Sequence, residues 1–267
     1  MEIHQWREIL DPYALAVNEI VTKFNHIISE YRHAGEYSPI ELVTGRVKTI
    51  SSILEKAQKK GIDLNDFENK IDDIAGIRII CQFVEDIYRV VDIIKKRSDM
   101  TVKYEKDYIN NMKKSGYRSY HVIVGYAVET LKGKKELLVE IQIRTLAMNF
   151  WATIEHSLQY KYKQNMPENI RERLTNAAKA VLQLDREMSL VRNEIMEAQK
   201  SFTIKANIVS DILNNIQNLY KVADKNEVVR IQDEFFRIYQ NGDQNELAKF
   251  SRDLDVISAR YRAQSLS

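Results

Sequence analysis

Leu137-Leu-Val-Glu-Ile-Gln-Ile-Arg144 alternates apolar and polar residues with a period of two. Leu137, Val139, Ile141 and Ile143 share one face, and Leu138, Glu140, Gln142 and Arg144 share the other, which is the signature of a strand. Around it, residues 76–84 form an apolar run of strand length, and residues 102–106 and 119–128 read as two more strands. Lys132-Gly133-Lys134 fits a hairpin loop leading into the strand quoted first. Residues 85–97 read as a helix. Pro12 is expected to open a first helix running to about residue 31, because proline is tolerated in a first turn. A second helix fits residues 45–60 and stops at Gly61. Beyond Leu146 the spacing is helical throughout, with Gly242 the single glycine. The expectation is an α+β fold: a mixed sheet within residues 45–145, flanked by helices.

The 267 residues suit one sizeable domain with an appendage. Hydrophobic residues make up 44% and charged residues 29%, the balance of a folded soluble chain. Forty basic residues against 38 acidic ones leave a net charge of +2, which argues against general nucleic-acid binding and DNA in particular. An anionic partner must then be held by a local cluster. The single cysteine, Cys81, excludes an internal disulfide and suits a reducing compartment. The first residues lack the basic start and apolar core of a secretion signal, and no apolar run spans a membrane, so the expected location is the cytoplasm.

Four segments carry chemistry. In Gly45-Arg-Val-Lys-Thr-Ile-Ser-Ser-Ile-Leu-Glu-Lys56, Lys48, Ser52 and Lys56 recur every fourth residue. On a helix they share a face, with Arg46 in its first turn, a set that suits a polyphosphate; a solvated basic face is the plainer alternative. Val47, Ile50, Leu54 and Ala57 would turn toward the core. In Asp72-Asp-Ile-Ala-Gly-Ile-Arg78, carboxylates at a strand edge can hold Mg²⁺, and Arg78 can stack on a base; an acidic cap with a structural ion pair is the alternative. Glu140, mid-strand among polar neighbours, could be a general base or metal ligand, or lie on a merely wet face. Lys113-Lys-Ser-Gly-Tyr-Arg-Ser-Tyr-His121 interleaves cations with aromatic planes, as in sites for an unpaired base, though a basic loop reads equally well. No G-x-x-x-x-G-K-[ST] or G-x-G-x-x-G occurs, so neither a P-loop nor a Rossmann or kinase loop is supported.

Taken together, Ser38-Pro-Ile-Glu-Leu-Val-Thr-Gly-Arg-Val-Lys48, Asp73-Ile-Ala-Gly-Ile-Arg78, Ser115-Gly-Tyr-Arg-Ser-Tyr-His121 and Val139-Glu-Ile-Gln-Ile-Arg-Thr-Leu-Ala-Met-Asn-Phe-Trp-Ala-Thr-Ile-Glu-His156 resemble the synthetase domain of the RelA/SpoT homologue family, above all its short members, the small alarmone synthetases. The motifs span residues 38–163, and the similarity extends over about residues 5–199. The resemblance implies a nucleotidyltransferase-like mixed sheet and a reaction in which ATP gives its β,γ-pyrophosphate to the 3′-OH of GDP or GTP. It implies that Arg46 and Arg78 sandwich the adenine and that Lys48, Ser52 and Lys56 hold the ATP phosphates. Asp73 and Glu140 would bind Mg²⁺, with Glu140 also the base. Tyr117 would stack on guanine and Asn149 read its edge, Lys106, Lys113 and His121 would meet the acceptor's phosphates, and Gln142 and Arg144 would position these groups. It further implies a homotetramer and allows a single-stranded RNA regulator. No His-Asp dipeptide marks a hydrolase, so synthesis alone is expected. The competing reading is an inactive RNA- or nucleotide-binding module on the same fold. Residues 1–200 are assigned to the synthetase domain and 201–267 to a helical extension. In the extension Ile208, Ile212, Ile216 and Leu219, then Val229, Phe236 and Tyr239, then Leu247, Phe250, Leu254 and Ile257, fall at helical spacing.

Overall fold

Alternating apolar residues between positions 42 and 145 build one five-stranded sheet: β1 (Leu42–Val47), β2 (Ala75–Cys81), β3 (Met100–Asp107), β4 (Tyr120–Thr130) and β5 (Gly133–Thr145). The computed structural model describes residues 3–63, 66–161 and 167–265; residues 162–166, inside the span of the resemblance, lie outside them. The strand order is β1-β2-β5-β4-β3. β2 runs parallel to β5 and the other neighbours are antiparallel, so the sheet is mixed as expected. Two residues, Leu131 and Lys132, close the β4–β5 hairpin, with Gly133 at φ 99°.

The sheet has one dry face and one polar face. Ala75, Ile77 and Ile79 of β2, Val139, Ile141 and Ile143 of β5, and Val122 and Val124 of β4 are buried. Against them pack Tyr13, Ala16, Ile20 and Phe24 of α1 (Ile3–His33) and Ile87, Val90, Val91 and Ile94 of α4 (Val84–Lys96). Each such buried aliphatic side chain contributes roughly 1.5–3 kcal/mol. The residues between them in sequence, Gly76 and Arg78 on β2 and Glu140, Gln142 and Arg144 on β5, therefore point the other way.

Two expectations in this half are corrected. The first helix does not begin at Pro12, which lies inside α1. Trp6 is buried on Phe67 with ring centroids 5.3 Å apart, and Tyr13 is buried one residue after the proline. Packing on both sides holds the helix through a residue that removes one of its hydrogen bonds. Residues 45–47 are strand, not helix: Thr44 pairs with Arg78, Gly45 with Ile77 and Arg46 with Gly76. Helix α2 covers Ile50–Lys60, capped by the Thr49 side chain on Ser52 N and ended by Gly61 at φ 63°. Its buried residues are Ile53 and Ala57, while Leu54 is exposed. A short α3 (Phe67–Lys70) follows.

After β5 come α5 (Leu146–Lys161), α6 (Glu168–Leu219), α7 (Lys225–Asn241) and α8 (Gln244–Ser265). The chain divides into two compact units, Met1–Ser189 and Leu190–Ser267, so the boundary falls inside α6. The second unit has its own core of Ile212, Ile216 and Leu219, with Val228, Phe235 and Ile238 of α7 and Leu247 and Leu254 of α8. On α7 the residues picked out by helical spacing, Val229, Phe236 and Tyr239, are exposed, and the residues just before each are buried. Among the described residues, no helix is long and apolar enough to cross a membrane.

Candidate active site

The polar face of the sheet carries a cleft whose lining includes Arg46, Asp73, Gly76, Arg78, Glu140 and Gln142. Strand register explains the grouping. Arg46 lies across from Gly76 on one side and Gly76 across from Glu140 on the other; Arg78 lies across from Gln142. Both sequence-predicted carboxylates thus reach one cleft, although 67 positions separate residues 73 and 140 in the chain.

Asp73 stands just ahead of β2. It accepts hydrogen bonds from Lys48 Nζ on Oδ2 and from Lys56 Nζ on Oδ1, each at 2.7 Å. Lys48 sits in the turn between β1 and α2 and Lys56 on α2, so the two lysines meet without sharing a helix. Burial pushes the Asp73 carboxyl up, but the two lysines prevail and hold it below the ordinary carboxylate value. Ser52 Oγ, on the same helix, takes a bond from Thr49 Oγ1 at 2.9 Å.

Arg78 is in the opposite situation. Burial, then the charges of Arg144 and Arg46, push its guanidinium down, and its Nε is buried with no hydrogen-bond partner among the described residues. A half-buried cation crowded by two others calls for an anion or an aromatic plane.

Glu140 is held from both sides. His121 Nδ1 lies 2.9 Å from Oε1, and Gln142 Nε2 donates to Oε2 at 2.7 Å. Burial pushes this carboxyl up, while His121 and then Gln142 bring it below its ordinary value. The ring of His121 is engaged at its other nitrogen too, Nε2 lying 2.8 Å from the Tyr117 hydroxyl. Both ring nitrogens therefore contact protein groups.

Tyr117 sits among cations. Lys113 Nζ is 4.8 Å from its ring centroid and the Arg144 guanidinium 5.1 Å. Tyr108, which sequence reading missed, meets its edge at 6.1 Å and that of His121 at 5.2 Å. Lys106 is exposed, 4.9 Å from the Tyr104 centroid, and lies across from His121. Asn149 is on α5; its side-chain oxygen is buried without a hydrogen-bond partner among the described residues. The loop bearing Tyr117 is pinned to α6. A Cβ on Gly116, at φ 90°, would lie 2.4 Å from the Ala178 Cβ, so only glycine allows this approach. Arg118 pairs with buried Asp185 at 3.6 Å, and Thr145 Oγ1 donates to the same carboxylate at 3.1 Å. Asp185 had no local signal: its partners lie 67 and 40 residues upstream.

The cleft fits a divalent ion of the Mg²⁺ type. Asp73 and Glu140 line it together, and the charge of Asp73 is felt at Glu140. No group of three or more acidic, histidine or cysteine ligands occurs among the described residues. Two carboxylates that leave the remaining positions to water and phosphate oxygens suit Mg²⁺, which keeps much of its hydration.

Residues 45–165 match the region found in RelA / SpoT proteins. The GTP pyrophosphokinase YjbM of Bacillus subtilis is 53% identical over 205 residues, covering 77% of this chain and 97% of that protein. A second protein of the same organism, GTP pyrophosphokinase YwaC, is 38% identical and covers 72% and 93% respectively. Among solved structures, the B. subtilis small alarmone synthetase 1 bound to its product pppGpp superimposes with a TM-score of 0.70 at 53% identity, over 72% of this chain and 98% of that one. A GTP pyrophosphokinase family protein from Streptococcus pneumoniae gives 0.71, over 74% and 98%. With most of its length matched to nearly whole relatives at this identity, the chain belongs to the RelA/SpoT family of GTP pyrophosphokinases.

Proposed function

We propose that this chain moves the β,γ-pyrophosphate of ATP to the 3′-hydroxyl of GDP or GTP, making ppGpp or pppGpp and AMP. The observation that carries the proposal is the meeting of Asp73 and Glu140 in one cleft with Arg78, whose Nε has no hydrogen-bond partner among the described residues. Arg46 and Arg78 take the adenine between them, which gives the half-buried Arg78 guanidinium a π-face. Lys48 and Lys56 turn from Asp73 to the triphosphate, with Ser52 donating to it. Tyr117 stacks on the guanine, Asn149 offers its unpaired oxygen to the base edge, and Lys113 and Lys106 meet the acceptor's phosphates.

Glu140 is ionised at neutral pH, since its carboxyl is held below its ordinary value. It accepts the proton of the 3′-hydroxyl as that oxygen bonds to the β-phosphorus. The bond from the β-phosphorus to the bridging oxygen breaks, and AMP departs with that oxygen. Asp73 and Glu140 would hold Mg²⁺, which supplies charge neutralisation on the bridging and leaving oxygens. On the same reading the protein works in the cytoplasm as a homotetramer, which light scattering of the pure protein tests.

The decisive assay incubates the protein with γ-labelled ATP, Mg²⁺ and GDP or GTP. Label in a guanosine tetra- or pentaphosphate with one AMP per turnover is the expected result. Nucleotide binding without turnover would mean an inactive binding module instead. AMP joined to another molecule, with pyrophosphate released, would mean a different nucleotidyltransferase. Chelation of the divalent ion is expected to stop turnover and to leave Tm of the protein alone nearly unchanged.

A further inference from the structure

Five side chains of the site close a hydrogen-bonded ring whose direction is fixed by chemistry. Arg144 is buried, anchored by its Nε to Ser119 Oγ at 3.3 Å, and a guanidinium can only donate. Its Nη2 gives one bond to the Tyr117 oxygen at 2.7 Å and one to Gln142 Oε1 at 2.9 Å. On the first branch, the ionised Glu140 can only accept, so His121 Nδ1 carries a proton, and the neutral ring leaves Nε2 to accept the Tyr117 proton at 2.8 Å while the Tyr117 oxygen accepts from Arg144. Nδ1 donates to Glu140 Oε1 at 2.9 Å. On the second branch, Gln142 accepts from Arg144 through its oxygen, so its nitrogen donates to Glu140 Oε2 at 2.7 Å. Both branches begin at Arg144 and end on the two oxygens of one carboxylate.

We propose that the Tyr117 hydroxyl is a positioning group for Glu140, acting through the His121 tautomer, so that the acceptor's stacking platform and the catalytic carboxylate form one hydrogen-bonded unit. The inference rests on pyrophosphate transfer as the reaction, and it gives Tyr117 two separable parts. Its ring faces the acceptor base; its oxygen, through His121, holds the carboxylate that takes the acceptor's proton. A guanine seated on the ring thereby bears on the same unit that orients the base.

Two substitutions separate the parts. Tyr117→Phe keeps the plane and removes one oxygen, and Tyr117→Ala removes the plane. The phenylalanine variant is expected to lose about 10- to 100-fold in kcat with the acceptor KM within about twofold, whereas alanine raises the acceptor KM as well. At residue 121, asparagine places an amide near Nδ1 and can still donate to Glu140, while glutamine places its amide near Nε2 and cannot. His121→Asn is therefore expected to keep at least about tenfold more kcat than His121→Gln. Nitrogen-15 NMR of the nucleotide-free protein reads the tautomer without any turnover: the proton belongs on Nδ1 in the wild type and loses that fixed position in Tyr117→Phe. Wild-type kcat in Tyr117→Phe, equal activity of the two His121 variants, or an Nε2-protonated ring in the wild type would each overturn the proposal. Failure of the parent reading looks different, because the unaltered protein would then make no labelled product at all.

Discussion

Asp73 and Glu140 face one cleft but are held by opposite kinds of neighbour. Asp73 has two ammonium groups on its two oxygens, and Glu140 has an imidazole and a carboxamide. Both are kept below the ordinary carboxylate value, Asp73 by two lysine ammonium groups and Glu140 by His121 and then Gln142. Replacing Glu140 with Gln puts an amide nitrogen where two donors converge, so one of them must turn away, and it removes the proton acceptor. Turnover is expected to fall below detection while the ATP Kd by calorimetry stays within about threefold; normal turnover would take Glu140 out of the mechanism. Tyr117→Ala is expected to weaken acceptor binding by about 1–3 kcal/mol, the worth of a stacked base. An unchanged acceptor Kd would remove the stacking role.

At the scale of elements, the seating of α1 on β1 depends on a missing side chain. A Cβ on Gly45 would lie 2.5 Å from Val17 Cγ1 and 2.9 Å from Val21 Cγ2. Gly45→Ala is expected to cost about 1–3 kcal/mol by overpacking and to lower Tm, with much of the loss recovered when Val17→Ala is added. If the two changes are additive, the clash is not the cause. A second tie lies at the other edge of the sheet. Asp99, just before β3, is held down to about 2 by a hydrogen bond from Arg97 and then one from Lys23 of α1. A depressed carboxyl adds stability above its unfolded value of 3.8 and loses it as pH falls from there toward about 2. Asp99→Asn should therefore flatten the fall of Tm across that window. The strands were legible because a two-residue period has few imitators. Residues 45–47 were not, because Arg46-Val-Lys48 also continues the four-residue spacing of α2; only the free edge of β2 decides for strand. On α7 the pairs Val228/Val229, Phe235/Phe236 and Ile238/Tyr239 offer two adjacent apolar stripes, and spacing cannot choose between them. The ring on Glu140 was half legible. Gln142 and Arg144 share its strand, but His121 reaches it through the β4–β5 register, which no local pattern records.

The chain is longer than the two B. subtilis GTP pyrophosphokinases named above. The relatives named above are matched over 93–98% of their own length by 72–77% of this one, so about a quarter of the chain is additional. That surplus is compatible with the second compact unit, Leu190–Ser267, whose core residues come from the end of α6, α7 and α8 alone. Every group placed in the cleft, and each loop anchor from Ala178 to Asp185, belongs to the first unit. A chain ended after Lys200 is therefore expected to fold and to keep kcat and both KM values within about twofold of the full protein. Two separate cores also imply that the full protein unfolds in two steps, since cooperativity follows shared burial. Calorimetry of the two forms checks this: the shortened chain should retain one transition and lose the other. A shortened chain that folds with the same Tm but loses turnover would place part of the catalytic machinery, or its control, in the additional helices.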